Sequence, residues 1–367
     1  MKPKYFDLKL LATALVLFII GLISIYSVTG HGTNISADSL MTKQLLWMAV
    51  SVLAFMLSSA FGYQRFLDFS FFFYILILML LATLIALGPI IAGAQRWLKI
   101  MGLNFQPSEF AKLSLILALS RLFIRSRESL YKLKTVLTAV VLLVIYAFLI
   151  FQQPDLGSAL ILVPIFIAMA ISARIRTKHI MGLIITGAAF IPLFWLILKD
   201  YQKERLLVFL NPNNDPLGAG YTIIQSKIAI GSGGLLGKGW LNGSQSQFNF
   251  LPEGHTDFIF AVFCEEWGFI GAIVVIFLYY LLLKRILDTA LLTNNFSAKL
   301  LCVGIATFIF SHVFINIGMV TGIMPVVGLP LPFLSYGGSN LVVVMVALGI
   351  VPKVLSRLSR YLRNRHE

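Results

Sequence analysis

Charge is scarce in this chain. Of its 367 residues only 12% are Asp, Glu, Lys or Arg, against roughly a quarter in an ordinary soluble domain. Cysteine is scarcer still: Cys264 and Cys302 are the only two, and both fall inside apolar runs. That excludes a disulfide framework and a cysteine zinc site, and leaves small apolar packing as their expected role. Acids number 15 against 29 bases, a net charge of +14. The basic residues occupy short clusters between apolar runs, so they do not form a nucleic-acid-binding surface. No internal repeat is visible, and the inverted-repeat sign of many secondary transporters is missing.

Apolar sequence is what the chain has in abundance, at 59%. A spanning helix needs about 20 mostly apolar residues. Ten such spans are predicted, at 10–28, 45–62, 70–88, 107–124, 133–151, 155–173, 178–197, 257–283, 299–322 and 337–354. The expected fold is an all-α integral membrane protein, one polytopic domain over 1–367. Met1-Lys-Pro-Lys followed by an apolar run reads as an uncleaved first helix.

Basic residues set the expected orientation. All but Lys43, Arg96, Lys99, Lys112, Lys199, Lys203, Arg205, Lys227 and Lys238 fall on one side, which is therefore cytoplasmic. Both termini lie on that side, as an even number of spans requires. Residues 198–256 then form a large extracytoplasmic loop, with an amphipathic stretch from Tyr221 to Ile230.

Ionisable groups in or near a membrane are candidates for function. Asp257 follows Thr256, a potential helix cap, and is expected in a first helical turn. There the dipole favours an ionised carboxylate, either as a helix-capping acid or as a general base. Glu109 and Lys112, three apart after Pro107, share a helix face, as a structural ion pair or as substrate-holding groups. Asp155 follows Pro154 in the same manner, chiefly as a cap. Arg96 beside Trp97, Arg205, Lys227 and Lys238 are outer-side cations that suit a diphosphate or simply face solvent. His312 and Asn316 suit interhelical hydrogen bonds. Glu265 and Glu266, in mid-span, call for a partner or a cavity. The breaker-rich run from Pro325 to Ser339 predicts a rigid re-entrant or interfacial loop.

Several of these stretches resemble one known family. Asn316-Ile-Gly-Met-Val-Thr-Gly322-Ile-Met-Pro325-Val-Val-Gly328 and Phe333-Leu-Ser-Tyr-Gly-Gly-Ser339 look like the C-terminal signature of the SEDS proteins (shape, elongation, division and sporulation). Gln106-Pro-Ser-Glu-Phe-Ala-Lys112, Gln153-Pro-Asp-Leu-Gly157 and Leu251-Pro-Glu-Gly-His-Thr-Asp-Phe-Ile-Phe260 resemble the same family, in family order. Gly237-Lys-Gly-Trp240 and Ser244-Gln-Ser-Gln247 are more similar to its elongation member than to its division member. Gly254 departs from the pattern, at the turn before Asp257.

The resemblance implies the ten-helix SEDS fold and a peptidoglycan glycosyltransferase in the bacterial cytoplasmic (inner) membrane. It would join lipid II units outside the membrane for elongation and rod shape. It also implies a class B penicillin-binding protein and other elongation-complex membrane proteins as partners. Asp257 would be the base. Arg96, Arg205 or Lys112 would meet the charge on the diphosphate, with or without a divalent cation (Mg or Mn), and no other cofactor is implied. Glu109, Asp155, Lys227, Lys238 and Ser335 complete the expected substrate-binding set. A lipid II flippase, the division member and an inactive scaffold are the competing readings.

Overall fold

The computed structural model describes residues 7–29, 40–89, 95–100, 103–130, 132–212, 215–216, 218, 220–248 and 250–363. Lys2, Lys4 and Arg365, used above for orientation, lie outside these. The described chain is nearly all helix. In order come α1 (Leu8–Thr29), α2 (Leu40–Phe61), α3 (Tyr63–Asp68), α4 (Ser70–Leu87), α5 (Pro107–Arg125), α6 (Leu133–Gln152), α7 (Leu156–Ser172) and α8 (Thr177–Ala189). They are followed by α9 (Ile191–Ile197), α10 (Asp200–Leu210), α11 (Tyr221–Gly233), α12 (Ser244–Gln247), α13 (Ile259–Leu292), α14 (Phe296–Thr321) and α15 (Gly338–Arg363). Two short strands, β1 (Leu98–Ile100) and β2 (Leu103–Phe105), pair antiparallel just ahead of α5.

Among the described residues α1, α2, α4, α6, α13 and α14 are long and apolar enough to cross a membrane. The chain is a multi-pass membrane protein on that count. The other four predicted spans coincide with α5, α7, the α8–α9 pair and α15. Burial sorts these helices. The apolar window of α14 is 72% buried and lies at the centre, whereas that of α4 is 28% buried and leaves most of its side chains to hydrocarbon. On α5, which carries Glu109 and Lys112, the residues from Pro107 to Ser120 are buried except Phe110. Protein surrounds its charges where lipid could not.

Two spans are broken. The predicted 178–197 helix divides at Phe190 into α8 and α9, with Pro192 in the first turn of α9. In α13 the backbone turns out of the helix at Gly268, with φ at 64°. A Cβ there would run into the Gly237 nitrogen. Peptide groups freed by the break are paired with the chain after α11. Lys238 N donates to Glu265 O and Gly239 N to Glu266 O, both at 3.0 Å, while Phe269 N donates to Gly234 O at 2.9 Å. Irregular backbone within a membrane protein survives only on such terms.

The predicted 198–256 loop contains three helices, α10, α11 and α12. The breaker-rich run between α14 and α15 is non-helical, as expected, and deeply buried at Leu329, Leu331, Phe333 and Leu334. Helix side chains satisfy its backbone. Asn316 Nδ2 donates to Leu329 O at 2.7 Å, Tyr279 donates to Pro332 O, and Gln44 Nε2 donates to Ser335 O at 3.4 Å.

Candidate active site

Four helices begin at one end of the bundle: α5, α7, α13 and α15. Residues at their N-termini, together with Arg96, Arg205 of α10 and the loop before α15, enclose a cavity of about 320 Å³. Its wall includes Gln106 and Glu109, Ser158, Thr256 and Asp257, and Ser339 and Asn340. A helix N-terminus carries roughly half a positive charge. Four of them, with two guanidinium groups, set positive potential against the carboxyl groups of Asp257, Glu109 and Glu253 on the same wall.

Asp257 sits in the turn two residues before α13, not within the helix as expected. Asn316 Nδ2 holds its carbonyl at 2.9 Å. Behind the carboxylate lies Gly328, at φ 69°, where a Cβ would come within 3.2 Å of Asp257 Oδ2. Burial raises the Asp257 carboxyl to about 7; the charge of Glu253 and, less, that of Asp155 add to this, while Arg205 and Arg96 oppose it. Burial therefore works against the ionised state that the helix dipole favours. His255, two residues earlier, is held below its ordinary value by burial, with Glu253 acting against the shift.

Arg96 is anchored by its Nε, which donates to Gln153 O at 3.2 Å, while Gln153 Nε2 donates to Leu81 O at 2.9 Å. Arg205 lines the same cavity from α10. Asp155 caps α7 by accepting from Ser158 N at 3.1 Å. Its other oxygen accepts from Ser108 Oγ at 2.9 Å and Gln106 Nε2 at 3.0 Å, which ties the starts of α5 and α7 together.

Beneath the cavity floor runs a buried polar chain. Lys112 Nζ lies 2.6 Å from Glu109 Oε1 and 2.8 Å from His312 Nε2, and His312 Nδ1 lies 3.1 Å from Pro330 O. A lysine can only donate, so His312 Nε2 accepts and Nδ1 carries the proton. The second oxygen of Glu109 accepts from Asn340 Nδ2 at 2.7 Å. Ser335 works on the loop itself: it accepts from Leu331 N at 2.7 Å and donates to Thr256 O at 2.6 Å, one residue from Asp257.

The structure therefore gathers Asp257, Arg96, Arg205 and Glu109 around the cavity, and sets Lys112, Asp155 and Ser335 just behind them. Lys227 and Lys238 do not line it. Lys227 passes over Gly322 beyond the end of α14. Lys238 pairs with the buried Glu265 at 2.6 Å, beside the break in α13. Glu253, Tyr336 and Asn340 line the cavity without having been singled out from sequence. The signal for Asn340 was a lone amide in the last span; Glu253 lay in the quoted motif without a role. Among the described residues no three His, Cys, Asp or Glu side chains converge as a metal site.

Comparison with known proteins agrees along the whole chain. The family model described as cell cycle protein, which covers FtsW, RodA and SpoVE, matches residues 7–360. The peptidoglycan glycosyltransferase MrdB of Escherichia coli K12 is 40% identical over 351 residues, spanning 95% of this chain and 93% of that protein. The probable peptidoglycan glycosyltransferase FtsW of Geobacter metallireducens is 35% identical over 360 residues, spanning 96% and 95%. Among solved structures, a chain from a peptidoglycan synthase complex studied for its coordination of polymerization and crosslinking superposes with a TM-score of 0.79 at 31% identity, over 95% of this chain and 97% of that one. The rod-shape-determining protein RodA of Thermus thermophilus superposes with a TM-score of 0.70 at 26% identity, over 96% and 97%. By the match of its sequence and the path of its helices, the chain belongs to the FtsW/RodA/SpoVE family, the SEDS proteins.

Proposed function

We infer that this chain is a peptidoglycan glycosyltransferase that builds glycan strands for cell elongation. Relatives with that name support the activity, and the Gly237–Trp240 and Ser244–Gln247 runs, with the likeness to a rod-shape-determining RodA, support the elongation role. The observation that carries the chemistry is the placement of Asp257 in a cavity shared with two arginines and four helix N-termini, where burial raises its carboxyl.

The donor is a glycan strand on a lipid diphosphate, and the acceptor is the sugar hydroxyl of a lipid II unit. As the hydroxyl oxygen bonds to the anomeric carbon, its proton passes to the Asp257 carboxylate. The anomeric carbon–oxygen bond to the diphosphate breaks, and its electron pair leaves with the diphosphate. Arg96, Arg205 and the helix N-termini stabilise that charge in place, without reorganisation. A base with a pKa near the working pH suits this proton transfer. Glu109 is held facing the cavity by Lys112 and Asn340. No step is routed through a metal ion.

The cavity end is extracytoplasmic and both termini cytoplasmic in this reading, supported by the concentration of Lys and Arg toward the other side. A class B penicillin-binding protein is the proposed crosslinking partner, supported by the likeness to a chain of a synthase complex that couples polymerization to crosslinking.

The test uses purified protein in proteoliposomes with that partner and labelled lipid II. Long glycans from wild type and none from Asp257→Asn are expected. Labelled lipid crossing between leaflets with no polymer formed would move the reading to a flippase. Normal strands from Asp257→Asn would remove Asp257 as the base.

A further inference from the structure

A second cavity lies at the opposite end of the bundle. The helices α7 and α13 start at the active-site cavity and run away from it. Where they end, at Ser172 and Leu292, they meet the start of α14 at Phe296. Over the 17 residues of α7 the two ends are about 25 Å apart, close to the thickness of a hydrocarbon core.

This cavity, of about 610 Å³, is lined by Arg127, Arg174 and Lys299. No carboxylate lines it among the described residues. Arg127 stands with its guanidinium 5.1 Å from the centre of the Phe296 ring, which fixes one cation over an apolar floor. Arg174 is held in left-handed backbone, with φ at 61°, directly after α7. Lys299 rises from the first turn of α14. Asn294 and Thr293 add polar groups to its lining.

The cavity's surroundings are apolar and outward-facing. Leu291 and Leu292 are 77% and 59% exposed, and Ile171 is 60% exposed. On a membrane protein such side chains at a helix end meet lipid, not water. Three cations without a counter-charge beside a lipid-facing rim fit a negatively charged phosphodiester that carries acyl chains. A soluble anion has no use for the rim, and a zwitterionic lipid brings its own cation to compete with the three.

We propose that this cavity is a binding site for the headgroup of an anionic phospholipid, with Arg127, Arg174 and Lys299 on its phosphate and the acyl chains along Leu291 and Ile171. The site is independent of the transferase reading, because it shares no residue with the active-site cavity.

The experiment measures lipid retention by the purified full-length protein, by native mass spectrometry and by thermal shift. The probes are phosphatidylglycerol, phosphatidylethanolamine and inorganic phosphate. Phosphatidylglycerol is expected to bind at least tenfold more tightly than phosphatidylethanolamine. The triple variant Arg127→Gln, Arg174→Gln, Lys299→Gln is expected to lose that preference, and Arg127→Lys, Arg174→Lys, Lys299→Arg to keep most of it. Equal retention of the two lipids by wild type, or undiminished phosphatidylglycerol binding by the glutamine variant, overturns the proposal. Inorganic phosphate stabilising the protein as well as the lipid does overturns the lipid assignment. If the glutamine variant does not fold, raising the salt on wild type serves instead: binding must weaken severalfold, and indifference to salt overturns the site.

Discussion

Asn316 holds Asp257 by its backbone. One amide group in the central helix α14 donates to Asp257 O at 2.9 Å and to Leu329 O at 2.7 Å. The turn that carries the proposed base and the loop that floors the cavity are thereby fixed to the same nitrogen.

Asn316→Leu should therefore act on position before it acts on fold. It leaves two buried carbonyls without a donor, at roughly 1–3 kcal/mol each. Melting temperature is expected to fall by several degrees, and polymerisation by ten- to a hundredfold more than the loss of folded protein accounts for. Activity that tracks folded protein one for one would reduce Asn316 to a structural residue.

The pH dependence follows from Asp257. The base acts when deprotonated, so the rate should rise with pH through about 7, the value set by burial and Glu253 against the two arginines. Glu253→Gln removes a negative neighbour and should move that limb to lower pH. Arg205→Gln removes a positive neighbour and should move it higher. Polymerisation rates across pH 5 to 9 measure all three, and a limb unmoved by either substitution would detach it from Asp257.

The same carboxyl predicts a gain from losing function. Its native pKa is raised, so between its ordinary value and about 7 the folded state binds more protons than the unfolded one. Stability contributed by this group is thus present at low pH and is lost as pH rises through about 7. At pH 8 Asp257→Asn should melt above wild type, and at pH 5 the difference should shrink. Thermal melts at the two pH values check the sign.

Lys112 and Glu109 form a pair that fails by halves. Both are buried, at 2.6 Å. Lys112→Met strands a carboxylate away from water, a loss of about 3–5 kcal/mol. Lys112→Met with Glu109→Gln removes both charges and is expected to recover much of the folded protein but not the activity. Yield and monodispersity in detergent report the first, and strand synthesis the second.

Where charge and hydropathy change sharply, the fold was legible. The apolar run predicted as 133–151 is α6 at Leu133–Gln152, because Lys132 and Lys134 bound it on one side and Pro154 on the other. Continuous hydrophobicity hides breaks: nothing in 178–197 but Pro192 marked the division at Phe190. Lys284 and Arg285 suggested an early end for α13, which instead runs on to Leu292, with Arg285 paired to Asp7. Within the site, Asp257, Arg96 and Arg205 stood out because ionised groups are rare here. Asn340 did not, since an amide in a span usually serves packing. Lys227 and Lys238 shared the charge of the cavity cations, and only the path of α11 and the break in α13 carry them elsewhere.

The loop before α15 has a consequence for how the molecule assembles. Its carbonyls are claimed by Gln44 of α2, Tyr279 of α13 and His312 and Asn316 of α14, and Gln44 lies 291 residues from its partner Ser335. Only a fragment that runs from α2 through α14 contains all of those donors. Contacts so distant in sequence close late and slowly. The loop should lock only once α2 has met α13 and α14, so a chain lacking α2 would insert its later spans yet leave the floor of the cavity unfixed.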